Sequence, residues 1–215
     1  MKNLSNFYIS GQWVNPISEA SMPVLNPATE EQIGTVALGN AADVDSAVAA
    51  AKSAFDSFSL TSKVDRLALL KALKAVTEKR FEDLAQAMRL EMGAPISMAR
   101  SDQADAAVGH LQGFIDALEK LEEQITLASG DVLVREPIGV CGLITPWNWP
   151  MNQVTLKVGA AAIAGCTMVL KPSEESPLNA MIFAELMDEA GFPPGVFNLV
   201  NGAGPGVGTV VSPTV

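Results

Sequence analysis

Apolar residues recur at two spacings along the chain, and the spacing changes near residue 123. Val44, Ala47, Val48, Ala51 and Phe55 share one helical face, behind Asn40 as a cap and Asp43 three residues on. Ser62 and Asp65 have the form of a capping box with Asp in place of the usual Glu, and Leu67, Leu70, Leu73 and Ala75 continue an apolar face. Phe81–Met92 predicts a further helix, stopped by Gly93 and Pro95. Ser97–Glu122 predicts a long amphipathic helix with Ala104, Ala107, Leu111, Phe114, Leu118 and Leu121 inward. Ahead of the helices, the first 36 residues read as short strands and turns. Tyr8-Ile9-Ser10 and Gln12-Trp13-Val14 flank Gly11 as a hairpin or bend. Asn26-Pro27-Ala28-Thr29 is a turn, and Glu31–Val36 is a short strand.

Beyond residue 123 the helical period gives way. Ile125–Leu127 and Val132–Val134 flank the polar tip Ser129-Gly130-Asp131, a hairpin signal. A two-stranded ribbon is marginal alone and needs a surface to pack on, another chain included. Buried strands at Gly139–Ile144, Thr167–Leu170 and Val196–Val200 then alternate with helices at Asn152–Ala164 and Leu178–Ala190, the second ended by Gly191 and Pro193-Pro194. A glycine-rich turn, Gly202–Gly208, leads into another helix. This alternation with continuously apolar strands predicts an α/β fold, a Rossmann-like parallel sheet with helices on both faces, plus a protruding β-hairpin.

The 215 residues are 48% hydrophobic and 18% charged, which excludes wholesale disorder. Fourteen basic against 24 acidic side chains leave a net charge of −10, unsuited to a nucleic-acid partner and suited to a soluble cytoplasmic protein. Met1–Ser10 has no apolar run and is not a signal peptide. Val158–Leu170, the most apolar stretch, is too short to span a membrane. Two cysteines, Cys141 and Cys166, cannot make a disulfide framework. Both read as small core residues with no adjacent base or cation to activate them. His110, the only histidine, lies mid-helix without a Cys or Asp cluster, so no metal site is expected.

In an open parallel sheet, ligands bind at the carboxyl ends of the strands. Three segments fall there and converge by topology. In Thr145-Pro146-Trp147-Asn148-Trp149-Pro150, two indoles make an apolar wall around an amide suited to a developing oxyanion; capping of the next helix by Asn148 is the alternative. In Lys171-Pro172-Ser173-Glu174, a carboxylate can accept two ribose hydroxyls and would repel a 2′-phosphate, which favours NAD over NADP. Punctuation of a helix start is the alternative there. Gly202-Ala203-Gly204-Pro205-Gly206-Val207-Gly208 lacks the dinucleotide fingerprint spacing but lets a ligand approach the backbone closely.

These segments resemble the aldehyde dehydrogenase superfamily. Pro137-Ile138-Gly139-Val140 through Thr145–Pro150 is similar to its "P-x-G-V…I-x-P-W-N-[FW]-P" motif. Leu170–Glu174 with Ser176-Pro177-Leu178 is similar to a second motif. Glu189–Val196 through Asn198, with Gly204-Pro205, is similar to a third. Gly11-Gln12-Trp13 and Asn26–Thr29 also fit, so the likeness covers nearly the whole chain. It implies an NAD-dependent oxidation of an aldehyde to a carboxylic acid. Asn148 would be the oxyanion donor, and Ile144, Thr145, Pro146 and Trp147 the wall along the nicotinamide end. Lys171, Ser173 and Glu174 would meet the adenosine ribose, and Gly204, Pro205 and Gly208 would form the adenine-side turn. Three parts are implied: residues 1–123, an oligomerisation hairpin at 124–136 that would make the protein a homo-oligomer, and a βαβαβ part at 137–215.

The departure from the family is large. Its nucleophilic Cys and general-base Glu lie in a catalytic half beyond Val215, and neither Cys141 nor Cys166 matches the nucleophile motif. The expectation is a truncated, cofactor-binding portion, incomplete as a fold and inactive alone. A non-catalytic nucleotide-binding module and a subunit-interaction module are the alternatives.

Overall fold

The structure is a computed structural model describing residues 4–208 and Val211. It opens with a hairpin of β1 (Phe7–Ile9) and β2 (Gln12–Val14), then a second of β3 (Ser21–Leu25) and β4 (Gln32–Ala37). Helices α1 (Ala41–Phe58), α2 (Lys63–Lys79) and α3 (Phe81–Glu91) follow. A long helix begins as α4 (Ile96–Met98), passes through a π-helical stretch at Ala99–Ala104 and continues as α5 (Asp105–Lys120). The hairpin β5 (Gln124–Thr126) and β6 (Val132–Val134) leads to β7 (Val140–Ile144), α6 (Pro150–Ile163), β8 (Thr167–Lys171), α7 (Leu178–Glu189), β9 (Phe197–Leu199) and a π-helical turn at Gly204–Gly208. The helix expected after that turn, and the closing Ser212-Pro213-Thr214-Val215, lie outside the described residues.

Both expected helix starts form. The Asn40 side chain accepts from the backbone of Ala42 and Asp43, and Asp43 returns a bond to the Asn40 N–H. Ser62 and Asp65 make the same reciprocal box at the start of α2. The inward faces are corrected in places. Phe58 is buried where Phe55 was expected, Ala75 is exposed while Thr77 is buried, and Ile115 is deeper than Phe114. In α5 the face of Ala107, Leu111 and Leu118 holds as expected and takes Ile115, four residues after Leu111, in place of Phe114. Phe114 instead lies over Gly159 of α6. A Cβ there would stand 2.2 Å from the ring, so the two helices approach closely because that position lacks a side chain.

The main sheet has the order β2-β1-β9-β8-β7. β7, β8 and β9 are parallel, as the alternating pattern predicts. The sheet is nonetheless mixed: β1 lies antiparallel to β9 through Tyr8↔Leu199, and β2 antiparallel to β1. That pairing spans most of the chain and leaves no local trace in the pattern. Because β7, β8 and β9 follow in order across the sheet, right-handed crossovers put α6 and α7 on one face. There Met168, Leu170, Phe197 and Leu199 join the larger core with residues from α2, α3, α5, α6 and α7. Val169, Phe7 and Ile9 point the other way, onto Val44, Ala47, Val48 and Ala51 of α1. Helices thus cover both faces. The hairpins β3–β4 and β5–β6 stand outside this sheet as separate two-stranded ribbons.

Candidate functional site

The carboxyl ends of β7, β8 and β9 form one rim. Lys171 ends β8, and its side chain is 3% exposed, so its ammonium needs acceptors. Nζ donates to Glu174 Oε2 at 2.9 Å and to the Gly202 carbonyl, beyond β9, at 2.7 Å. Glu174 Oε1 accepts from the Gly204 N–H at 3.4 Å. Burial pushes the Glu174 carboxyl up, but its own N–H, the Lys171 ammonium and the Gly204 N–H outweigh that and hold it below its ordinary range. The carboxylate remains 28% exposed, with room to accept further donors. The second and third predicted segments therefore meet in one hydrogen-bonded group.

Local chemistry shapes both loops. The Ser173 hydroxyl accepts from the Glu175 N–H, and the Ser176 N–H closes on the Ser173 carbonyl, so 173–176 is a tight turn. In the glycine-rich turn, Val207 folds back over Gly202, where a Cβ would lie 2.3 Å from the valine side chain. Gly208 sits beside the Lys171 stem, and Gly204 and Pro205 are exposed.

The loop after β7 completes the rim. Thr145 is buried and its N–H extends the β7–β8 pairing onto the Lys171 carbonyl at 3.2 Å. Ile144, Pro146 and Asn148 are exposed, and Trp147 is 54% exposed. Helix capping does not account for Asn148. α6 starts at Pro150 with Trp149 in the cap position and no side-chain cap bond. Trp147 reaches toward the loop after β8, lining with Pro27, Glu91, Met92, Glu175 and Ser176 a cleft of about 410 Å³.

Two residues at this rim escape a reading of local patterns. Gln103, fully buried on the π-helical stretch, donates from Nε2 to the Asn148 carbonyl at 3.4 Å. Glu91, buried at the end of α3, accepts from the backbone N–H groups of Leu178 and Asn179 and from the Asn179 side chain. A carboxylate in the last turn of its own helix opposes the helix dipole, and that local conflict was the available signal.

The cysteines lie at the other end of the sheet, Cys141 early in β7 and Cys166 just before β8. The expectation that no cation stands near them is corrected. The Cys141 thiol, the N–H groups of Ile138 and Gly139 and the Arg66 charge together lower Cys166, while the hydrogen bond to Cys166 raises Cys141. Arg66 comes from 100 residues upstream, beyond the reach of local sequence. His110 pairs with Asn152 at 2.9 Å, and burial lowers its pKa. Among the described residues there is no group of three or more His, Cys, Asp or Glu placed to hold a metal.

Comparison with known proteins matches residues 13–213 to the profile of the aldehyde dehydrogenase family. The chain belongs to the aldehyde dehydrogenase family. It is 50% identical over 209 residues to a 3-succinoylsemialdehyde-pyridine dehydrogenase from Pseudomonas, covering 97% of this chain and 44% of that protein. The chain thus spans less than half the length of this aldehyde dehydrogenase relative. Among solved structures, a mutant aldehyde dehydrogenase C from Pseudomonas syringae in complex with NAD+ and octanal superposes with a TM-score of 0.95 at 52% identity, over 97% of this chain and 43% of that one. An aldehyde dehydrogenase from Bartonella henselae gives 0.96 at 48% identity, over 99% and 45%. The aldehyde dehydrogenase fold expected from the three motifs is therefore present, in the part that these residues cover.

Proposed function

We propose that this chain is the NAD+-holding portion of an aldehyde dehydrogenase, with an aldehyde as substrate of the complete enzyme. The observation that carries the reading is the convergence of Lys171, Glu174, Gly202 and Gly204 at the carboxyl rim of three parallel strands. The rim fits a dinucleotide: Glu174 presents a part-exposed carboxylate to ribose hydroxyls, and Lys171 lies fixed beside it. Ser173 shapes the turn, and Gly204, Pro205 and Gly208 form the adenine side. Ile144, Thr145, Pro146 and Trp147 wall the nicotinamide end. NAD+, when bound, supplies the hydride acceptor. Asn148 donates from Nδ2 to the aldehyde oxygen as negative charge develops on it, an interaction worth about 3–4 kcal/mol in a transition state. The Glu174 carboxylate disfavours the extra phosphate of NADP+.

The family's nucleophilic thiol and general base match no residue of this chain, and both cysteines lie at the amino end of the sheet. The 215 residues alone are accordingly inactive in aldehyde oxidation. The chain divides into 1–123 and 137–215, which together build the nucleotide portion, and the hairpin 124–136. That hairpin favours a second role in assembly: Leu127, Val132, Leu133 and Val134 are exposed on an isolated ribbon. Pairing with a second copy would cover them and give a homo-oligomer. No helix among the described residues is long and apolar enough to cross a membrane; the acidic balance of 24 carboxylates against 14 basic side chains is what favours a cytoplasmic location.

Calorimetric titration with NAD+ and NADP+ tests the reading. NAD+ binds the parent chain more tightly than NADP+, and Lys171→Ala weakens NAD+ at least tenfold. Equal heats for Lys171→Ala and the parent would overturn it.

A further inference from the structure

We infer that Glu91 is a positioning residue for the nucleotide rim, holding the 173–176 turn and thereby Glu174 by clamping the start of α7. The inference rests on the nucleotide reading above and adds a residue to it. α7 begins at Leu178 with Pro177 in the cap position and no side-chain cap of its own. The first N–H groups of any helix lack partners within it. Here they are met from another helix: Leu178 N donates to Glu91 Oε2 at 2.5 Å and Asn179 N to Oε1 at 2.9 Å. The Asn179 side chain donates to Oε1 at 2.5 Å and to the Ser176 carbonyl at 2.8 Å. Ser176 in turn bonds back to Ser173.

The turn bearing Glu174 is thus tied at both ends. Lys171 and the Gly204 N–H hold the Glu174 side chain, while Glu91 holds the backbone that follows it. Glu91 is only 4% exposed, and its two oxygens face the N-terminal end of a 12-residue helix and three donors. Nothing in α3 itself calls for a carboxylate at that place. Loss of the clamp frees the 173–176 turn, and Glu174 then spends less time where a ribose can meet it.

The test uses the full chain. Glu91→Gln keeps the size but turns an amide donor toward N–H donors, and Asn179→Ala removes the link to Ser176 while leaving Glu91 in place. NAD+ affinity by calorimetry and amide hydrogen exchange without nucleotide are measured for both. The expected result is about threefold weaker NAD+ binding, less than loss of the Glu174 carboxylate itself, with faster exchange at Glu175 and Ser176 and unchanged exchange in α2 and α5. The Glu91→Gln/Glu174→Gln double variant binds NAD+ no more weakly than Glu174→Gln alone. Parental affinity and exchange at the turn, strictly additive losses, or faster exchange throughout the molecule would each overturn the inference. If the parent binds no NAD+, the nucleotide reading fails by itself, and exchange at Glu175 and Ser176 decides the clamp.

Discussion

The parallel strands carry a buried cation at each end, and the two are held differently. At the amino end, Arg66 from α2 lies against Gly165, donates to the Thr61 carbonyl at 3.1 Å and pairs with Glu123, 57 residues away. At the carboxyl end, Lys171 is held by Glu174, three residues on, and by the Gly202 carbonyl. The Arg66 contacts join α2 to the segment before β5, beside the buried Cys166 and the half-buried Cys141. The Lys171 contacts tie two loops together and leave a carboxylate open to solvent. One buried charge fastens distant pieces of the chain, whereas the other prepares a surface. Burial of a cation therefore does not mark a site, and neither does an open carboxylate beside it, since Glu123 is more exposed than Glu174; the meeting of two strand-end loops on one cation does.

Acidity offers the largest effect with which to sharpen this contrast. Burial outweighs the hydrogen bonds at Glu91 and pushes its carboxyl up to about 7. Glu30, Glu174 and Glu175 line the same clefts. Because the folded pKa exceeds the unfolded one, the contribution of Glu91 is fully present below pH 4.5 and is lost as pH rises to about 7. The loss is on the order of 3 kcal/mol, read as the difference between parent and Glu91→Gln in denaturant unfolding across that range. An identical pH slope in the two proteins would remove Glu91 as its source.

Arg66→Ala comes next. It costs about 2 kcal/mol of unfolding free energy, less than a fully buried pair because Glu123 is half open to water. NAD+ affinity stays within about twofold of the parent, since the substitution lies at the opposite end of the strands. A large loss of affinity would break the comparison. At the carboxyl end the order reverses. Glu174→Gln changes stability little, weakens NAD+ about fivefold, roughly 1 kcal/mol, and narrows the preference over NADP+. The smallest effect concerns the thiols. Removing the Arg66 charge moves the Cys166 titration upward, followed by ultraviolet absorbance of the thiolate.

How much of this was legible follows from the range of each contact. Lys171 and Glu174 stand in one short motif, and the βαβαβ pattern brings Gly202–Gly208 to the same rim, so that group could be read in advance. The tryptophan loop was legible for the same reason. Arg66, Glu91 and Gln103 act across separations of 45 to 100 residues on elements whose own periodicity gives no hint of it. β3 was not singled out among the short strands of the first 36 residues; Pro23, which lacks a donor, is tolerated there because β3 lies in a two-stranded ribbon with only one neighbour. The mixed sheet was missed because antiparallel addition of β1 depends on a partner near residue 199.

That last pairing has a consequence for biosynthesis. A ribosome releases Tyr8 long before Leu199, so the first strand emerges without its neighbour and waits with only β2 beside it. The helices α1 to α5 can gather during that interval, but the five-stranded sheet closes only once Leu199 has emerged. Until then the nascent chain presents an unpaired strand edge, open to pairing with other chains.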